Sequence, residues 1–359
     1  MAIVSGSIVR SGQGTPICNT IRYKYKHTPF EHNAAQWLEG VNHLKTAVVA
    51  IGGNALIAPG KELTFENQMD MLVQTSKQLV DLIQMGYDIV LAHGNGPQIG
   101  NILMQNELTR EDVPEMPLDA LVAESQGLIG YMLQQSLSNE LAKRGVNKIA
   151  ISILTQVVVH EDDPAFKTPT KPVGMYYSKE QAEKFTKEKG WVFGYEKDRD
   201  GYRRLVPSPH PVKIVESRAM RRLIFGGEHQ VELIIACGGG GIPVIRRGGK
   251  YIGVEAVVDK DLAACRLAMD IEEKLLIMLT DVDYVYLDYD TPKQRKVTKM
   301  NLAEAKKYLA EGHFGKGSMA PKVEAAIKFL EHTGEEAVIT SLAKLEDSIT
   351  KGDGTHITK

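Results

Sequence analysis

The chain has 359 residues, of which 43 % are hydrophobic and 25 % are charged, and its formal net charge is −2 at pH 7. This composition is that of a folded globular protein and excludes a disordered or fibrous chain. The charge is too close to neutral for a nucleic-acid-binding protein, and no apolar run approaches the roughly 20 residues that a membrane span needs. We therefore expect neither a nucleic-acid partner nor a membrane.

Length and cysteine content indicate the number of domains and the type of protein. A domain commonly spans about 150 residues, so the length suggests two lobes or one large α/β unit. Cys18, Cys237 and Cys265 are widely spaced and odd in number. This pattern indicates neither a disulfide framework nor a zinc site, and it fits a reducing, cytoplasmic location best.

Residues 1–44 differ from the rest of the chain because they show no sustained hydrophobic period. A transit peptide, a docking tail and an upstream-extended gene start are the three interpretations. The segment is not rich in arginine and lacks an amphipathic period, which argues against a transit peptide. We favour a true start near Val41, and we expect the segment to be poorly ordered and dispensable.

From Thr46 onward, short apolar runs alternate with helical patterns. The pattern predicts strands at 46–51, 88–92, 149–159, 231–236 and 274–280, and helices at 72–83 and 118–144. Alternation of this kind favours a mainly parallel sheet with helices on both faces. The expected fold class is therefore a three-layer αβα sandwich.

Residues 164–211 interrupt the alternation with several prolines. Within them a charged helix is predicted at 179–189, and short strands are predicted at 191–195 and 202–206. Long excursions in compact α/β domains are usually functional, so we interpret this insertion as a lid over a binding site. A decorative surface hairpin is the alternative.

Three turns that follow predicted strands are rich in glycine. Their sequences are GGNA at 52–55, HGNGPQ at 93–98 and CGGGGIP at 237–243. Ligands of an open parallel sheet lie at the carboxyl ends of its strands, and glycine lets backbone N–H groups approach an anion. Together these turns predict a phosphate site, although neither a Walker lysine nor a spaced dinucleotide fingerprint is present.

These turns form part of a wider resemblance. Together with VEAVVDKD at 254–261, LTDVDYV at 279–285 and the motif between Gly312 and Lys322, they resemble the carbamate kinases of the amino acid kinase family. The resemblance extends from Thr46 to Lys359. KTPTKPVG at 167–174 and VPSPHP at 206–211 resemble the borders of that family's protruding subdomain, whereas DRDGY at 198–202 departs from its usual GRGW pattern.

The resemblance implies an organisation and a set of ligands. Residues 45–258 would bind carbamate or carbamoyl phosphate and carry the lid at about 164–211, and residues 259–359 would bind the nucleotide. ATP/ADP and Mg²⁺ are the implied cofactors, with no metal held by the protein alone. A cytoplasmic homodimer acting in arginine or related nitrogen catabolism is also implied.

Phosphoryl transfer needs in-line positioning and positive charge around the moving group. By resemblance, Lys260 and Lys322 flank that group, Lys171 reaches in from the lid, and Asp261 holds the two core lysines; these four are the implied catalytic residues. Taken singly, each lysine would be a solvated surface charge, and Asp259 could simply cap a helix.

The remaining implied site residues lie in the motifs already described. Those for the substrate are Gly52, Gly53, Asn54, Gly94, Asn95, Gly96, Gly239 and Gly240, and those for the nucleotide are Thr280, Asp281, Val282, Gly317, Ser318 and Met319. For Asp281 and Gly317 a purely structural role in a turn is the alternative.

The implied reaction converts carbamoyl phosphate and ADP reversibly into carbamate and ATP. Carbamate is an anion at neutral pH, so no dedicated general base is required, and we expect His93 to be structural. A kinase of the same fold with a larger acceptor, such as an acetylglutamate-like or phosphonate kinase, is one alternative. A non-catalytic nucleotide sensor of that fold is another.

Overall fold

The computed structural model describes residues 45–225, 233–315 and 317–359. The predictions for residues 1–44 therefore lie outside the described residues. Within the described ranges, no helix is long and apolar enough to cross a membrane.

The described part of the chain alternates between strands and helices. The strands are β1 (Lys45–Ile51), β2 (Tyr87–His93), β3 (Ala150–Ser152), β4 (Gln156–Val159), β5 (Lys171–Tyr177), β6 (Val192–Glu196), β7 (Gly201–Val206), β8 (Pro211–Ile214), β9 (Leu233–Ala236), β10 (Ile242–Arg247), β11 (Lys250–Gly253), β12 (Leu275–Thr280), β13 (Val285–Leu287), β14 (Arg295–Val297), β15 (Lys299–Asn301), β16 (Glu336–Ser341) and β17 (Thr355–Thr358). The helices are α1 (Phe65–Gln84), α2 (Gly96–Leu108), α3 (Leu118–Lys143), α4 (Lys179–Lys189), α5 (Ser217–Phe225), α6 (Lys260–Ile271), α7 (Leu302–Ala310), α8 (Met319–Thr333) and α9 (Leu345–Thr350).

Eight strands form the central sheet in the order β15-β17-β16-β12-β1-β2-β9-β3. Neighbouring strands of this sheet run parallel, with the exception of β16 and β17. A four-stranded sheet, β11-β10-β4-β8, and a two-stranded sheet, β13-β14, are separate from it. The predicted, mainly parallel sheet is confirmed.

Strand β1 shows how the central sheet is covered. Val49 and Ile51 belong to a buried cluster with residues of α1 and α3, whereas Val48 and Ala50 belong to a second cluster with residues of α6 and α8. Successive side chains of a strand point to opposite faces, so an apolar run such as β1 needs a helical layer on each side. This arrangement confirms the predicted αβα sandwich.

One predicted strand is wrong. The run at 149–159 forms two strands, because β3 pairs with β9 in the central sheet while β4 pairs with β10 and β8. Between them the chain turns at Thr155, whose N–H donates to the side chain of Gln126 and whose hydroxyl donates to the carbonyl of Ile153. The β-branched sequence does not predict this turn, because one of the residues that stabilise it, Gln126, belongs to α3.

The segment predicted as a lid has its own small sheet and helix. β5, β7 and β6 form a three-stranded antiparallel sheet, and α4 lies at the predicted residues. Ser178 and Gln181 form a capping box at the start of α4. Tyr177 packs edge-on against both Phe185 and Phe193, with ring centroids 5.6 Å and 5.3 Å apart.

Glu273, just before β12, is a buried carboxyl group that makes stability depend on pH. Its side-chain Oε1 has no acceptor or donor partner among the described residues. Burial, with a smaller contribution from Asp88, raises the pKa of Glu273 to about 7. The folded protein therefore holds a proton that the unfolded chain releases from about pH 4.5 upward, so stability falls as pH rises through about 7.

Glu273→Gln is expected to remove this dependence and to raise the free energy of unfolding by about 2–3 kcal/mol at pH 8.5, with much less gain at pH 5. Urea unfolding at the two pH values measures the difference. Glu272→Gln, at the exposed neighbouring residue, is the control and should leave the pH dependence unchanged. Equal effects of the two variants at both pH values would contradict the argument.

Candidate active site

A cleft of about 850 Å³ lies at the carboxyl ends of β1, β2 and β12. Most of the site residues implied by the resemblance line it: Gly52, Gly53, Asn54, Gly94, Asn95, Gly96, Lys171, Gly239, Lys260, Asp261, Thr280, Asp281, Gly317, Ser318 and Lys322. The switch between β1 and β12, where the strand order changes direction, is where ligands of open α/β sheets bind. Gly240, Val282 and Met319 are not among the lining residues.

The turn after β9 requires glycine. Gly239 has φ of +66°, and a Cβ there would lie 2.2 Å from the side-chain Nδ2 of Asn95. Asn95 in turn donates to the hydroxyl of Ser125 at 2.8 Å, which fixes its amide. Two of the glycine-rich turns thus meet in contact at the cleft, as a backbone cradle for an anion requires.

Asp261 joins the two core lysines. Its Oδ1 lies 2.7 Å from Nζ of Lys260, and its Oδ2 lies 2.9 Å from Nζ of Lys322. Asp261 is 3 % exposed and Lys322 is 5 % exposed, whereas the Lys260 side chain is 18 % exposed. One carboxylate therefore orients two ammonium groups at the floor of the cleft.

The charges of this triad perturb one another. Burial by itself would raise the pKa of Asp261, but Lys260 and Lys322 outweigh it and hold the pKa below its usual value. Burial, assisted by repulsion from Lys322, lowers the pKa of Lys260 against the attraction of Asp261. A bound phosphoryl anion would favour the charged form of both lysines, because nearby opposite charge stabilises an ammonium ion.

Lys171 extends from β5 towards the start of α6. Its Nζ lies 3.0 Å from Oδ2 of Asp259, and Oδ1 of Asp259 accepts from the backbone N–H of Asp261 at 2.9 Å. Asp259 is therefore the N-cap of α6 and a partner of Lys171 at once. The alternative, that Asp259 only caps a helix, accounts for its contact with Asp261 but not for its ion pair with Lys171.

His93 ends β2 beneath the cleft and is 1 % exposed. Its Nδ1 lies 2.8 Å from the carbonyl oxygen of Gly94. Burial lowers the pKa of His93 to about 4, so the ring is neutral at pH 7. This environment supports the expectation that His93 is structural.

The opposite wall of the cleft is formed after β12 and before α8. Thr280 ends β12 and Asp281 follows it, while Gly317 and Ser318 precede α8, which begins two residues earlier than the predicted start near Pro321. The N-terminus of α8 thus opens at the cleft, and free N–H groups of a helix N-terminus favour phosphate. Met319 is the first residue of α8 and packs partly into the core.

Comparisons with known proteins show which family the chain belongs to. The model of the amino acid kinase family matches residues 45–341. Over 313 residues the chain is 49 % identical to "Carbamate kinase 3" of Staphylococcus aureus, with 86 % of this chain and 98 % of that protein covered. The chain belongs to the carbamate kinases of the amino acid kinase family. The carbamate kinase of Pyrococcus horikoshii is 45 % identical, with 87 % of this chain and 98 % of that protein covered.

A solved structure of the family shows the same fold. The carbamate kinase from Giardia lamblia bound to AMP-PNP has a TM-score of 0.83 and 37 % identity, with 88 % of this chain and 98 % of that chain covered. The resemblance inferred from the motifs and the kinase class are thus both confirmed.

Several cleft residues were missed by the family motifs. Tyr176 and Arg203 line the cleft from residues 164–211, and Met104 lines it from α2; Arg199, in the DRDGY segment that departs from the family pattern, also lines it. The pair Arg203-Arg204 gives the only sequence signal, because neighbouring residues of a strand face opposite sides and one of the two must face inward.

The other face of residues 164–211 contacts the core through ion pairs. Arg204 binds Glu255 at 2.6 Å, and Lys189 binds Glu115 at 2.6 Å and Glu107 at 3.1 Å. Both cations also lie over the ring of Trp191, at 4.0 Å for Arg204 and 4.5 Å for Lys189. Cation–π contacts and ion pairs together fasten residues 164–211 to this edge of the core.

Proposed function

We propose that this protein catalyses reversible phosphoryl transfer between carbamoyl phosphate and ADP, giving carbamate and ATP. The observation that carries the proposal is the buried Lys260–Asp261–Lys322 triad, which lies under glycine-rich turns in a chain related to carbamate kinases. Residues 45–258 would hold the acyl phosphate, with residues 164–211 as the lid, and residues 259–359 would hold the nucleotide.

The chemical step needs charge more than proton transfer. An oxygen of the ADP β-phosphate attacks the phosphorus of carbamoyl phosphate, the bond from phosphorus to the carbamoyl oxygen breaks, and carbamate leaves as an anion. No proton moves in this exchange, so no general base is required. Lys260 and Lys322 would stabilise the charge on the equatorial oxygens of the moving group.

Positioning is the second contribution of these residues. Asp261 fixes both ammonium groups before substrate arrives, and preorganised charge acts without reorganisation during the reaction. Lys171, which already lies in the cleft, would change partner from Asp259 to the substrate. The backbone of 52–54, 94–96 and 239 would bind oxygens of the acyl phosphate.

Mg²⁺ would enter with the nucleotide. No group of three or more possible ligands among His, Cys, Asp and Glu is found within the described ranges. Mg²⁺ is commonly bound through substrate phosphates, water and one or two carboxylates, and the exposed Asp281 at the cleft suits that mode. The ion would neutralise negative charge on the phosphate oxygens.

We extend the proposal to a homodimer that acts in the cytoplasm in arginine or related nitrogen catabolism. Support for the dimer comes from Leu128 and Tyr131 on α3 and from Leu154, which are 39 %, 54 % and 56 % exposed near the terminal strand β3 of the central sheet. Sedimentation equilibrium should give twice the mass of 39.6 kDa. A single-chain mass would contradict the dimer.

A coupled assay tests the reaction itself. Purified protein is mixed with carbamoyl phosphate, ADP and Mg²⁺, and ATP is detected through hexokinase and glucose-6-phosphate dehydrogenase. ATP formation is expected with carbamoyl phosphate and not with acetylglutamyl phosphate, which represents a kinase with a larger acceptor. Absence of ATP formation together with undiminished ADP binding would instead favour the nucleotide sensor.

A further inference from the structure

The lid segment brings to the cleft a cation that none of the family motifs quoted above contains. Arg203, in β7, lines the same cleft as Lys171, Lys260 and Lys322. Its side chain is 23 % exposed, so the guanidinium lies at the wall of the cleft and not in free solvent.

The guanidinium of Arg203 uses few of its N–H donors. Nη2 lies 3.4 Å from the carbonyl oxygen of Pro172, and Nη1 lies 3.6 Å from the carboxylate of Glu196, which is beyond hydrogen-bond distance. Its buried Nε has no acceptor among the described residues. A guanidinium has more N–H donors than these contacts use, so donors of Arg203 remain for an acceptor that a ligand of the cleft would supply.

Neighbouring residues hold this guanidinium in place. The hydroxyl of Tyr176 donates to Glu196 at 2.7 Å, and the guanidinium carbon of Arg203 lies 5.5 Å from the centre of the Tyr176 ring. Arg203 also contacts the carbonyl oxygen of Pro172, which directly follows Lys171 in β5. Arg203 is therefore positioned beside the strand that carries Lys171.

The charge balance of the cleft explains what Arg203 would bind. Each of the three lysines has a carboxylate partner within 3.0 Å: Asp259 for Lys171, and Asp261 for Lys260 and Lys322. The carboxylate of Glu196 pairs with Arg203 more loosely, because its Oε1 lies 3.6 Å from Nη1 of Arg203 while its Oε2 accepts from the hydroxyl of Tyr176 at 2.7 Å. A guanidinium matches a phosphate through two parallel hydrogen bonds, which a lysine cannot make.

We propose that Arg203 is a substrate-binding residue, whose guanidinium donates to phosphate oxygens of the acyl phosphate substrate. The inference rests on the proposed function, because it assigns a further contact at the same site. The lid segment then supplies two cations to the substrate, Lys171 and Arg203, while its other face is fastened to the core through Arg204.

Steady-state kinetics of Arg203→Gln and Arg203→Lys test the inference. Arg203→Gln is expected to raise KM for carbamoyl phosphate about tenfold or more, the loss of one charge-assisted contact, with KM for ADP nearly unchanged. Arg203→Lys should fall between that variant and the wild type, because it keeps the charge but not the paired donors. Lys184→Gln, at an exposed residue of α4, is the charge-matched control and should behave as the wild type.

Binding of inorganic phosphate gives a second measurement that does not depend on turnover. Isothermal titration should show about tenfold weaker phosphate binding to Arg203→Gln than to Lys184→Gln, with unchanged thermal midpoints. Unchanged phosphate binding and unchanged KM in Arg203→Gln overturn the inference, as do equal rises in both KM values with a lowered midpoint. A wild-type protein that forms no ATP overturns the proposed function, and the phosphate titration then still decides the role of Arg203.

Discussion

Lys322→Ala is expected to lower kcat by about 10²-fold or more while the protein stays folded, because preorganised charge at a transition state contributes a few kcal/mol. Lys322 is buried and held 2.9 Å from Asp261, so its ammonium group is aimed before substrate binds. Lys260→Ala should have an effect of similar size. Loss of either lysine leaves Asp261 with one partner, so the remaining lysine also loses part of its orientation.

Lys328→Ala is the matched control for this prediction. Lys328 lies on α8, as Lys322 does, but its side chain is 42 % exposed, and its one ion pair among the described residues is with Glu324 on the same helix. Exposed pairs of this kind contribute about 0.2–1 kcal/mol at most, so kcat should stay near the wild-type value. Circular dichroism checks the fold. A Lys322→Ala variant as active as Lys328→Ala would remove the triad from the mechanism.

The parts of the site that could be predicted from the sequence are those that depend on the local chain. The glycine-rich turn after β1 and the strand before it are encoded by neighbouring residues, and the structure puts both where the pattern predicts them. The position of Lys260 and Asp261 at the start of α6 is likewise encoded by neighbouring residues. The meeting of Asp261 with Lys322, 61 residues apart, was available only through the family resemblance.

What could not be predicted depends on contacts between distant segments. The turn at Thr155 is stabilised by a hydrogen bond to Gln126 of α3, and the sequence of residues 149–159 does not predict it. The double role of Asp259 needs Lys171, which lies 88 residues away. Arg203 was missed for a related reason: strand alternation shows that Arg203 and Arg204 face opposite sides, but only the fold shows which side is the cleft.

Gly240→Ala is expected to destabilise the protein strongly and to abolish most of its activity. Gly240 has φ of +93°, and a Cβ there would lie 2.0 Å from the carbonyl oxygen of Val258. The obstructing atom belongs to the backbone, so the clash cannot be relieved by a side-chain rotation. Overpacking combined with an unfavourable φ costs about 3 kcal/mol or more.

The same clash explains why activity should fall with stability. Val258 leads directly into Asp259, Lys260 and Asp261, so moving its carbonyl displaces the start of α6 and the groups that it holds. Gly240 is therefore needed at the site although it does not line the cleft. Its contribution is to let the turn after β9 pack directly against the chain segment that carries the triad.

Gly248→Ala separates the clash from the backbone strain. Gly248 also has a positive φ, of +57°, but a Cβ there meets nothing within 4 Å. Its replacement should cost about 1 kcal/mol, the strain of an alanine in the left-handed region, and leave kcat unchanged. Thermal melting and the coupled assay on both variants measure the difference. Equal losses of stability would show that close packing of Gly240 against Val258 does not matter, whereas a much larger loss for Gly240→Ala would place the requirement for glycine in that contact.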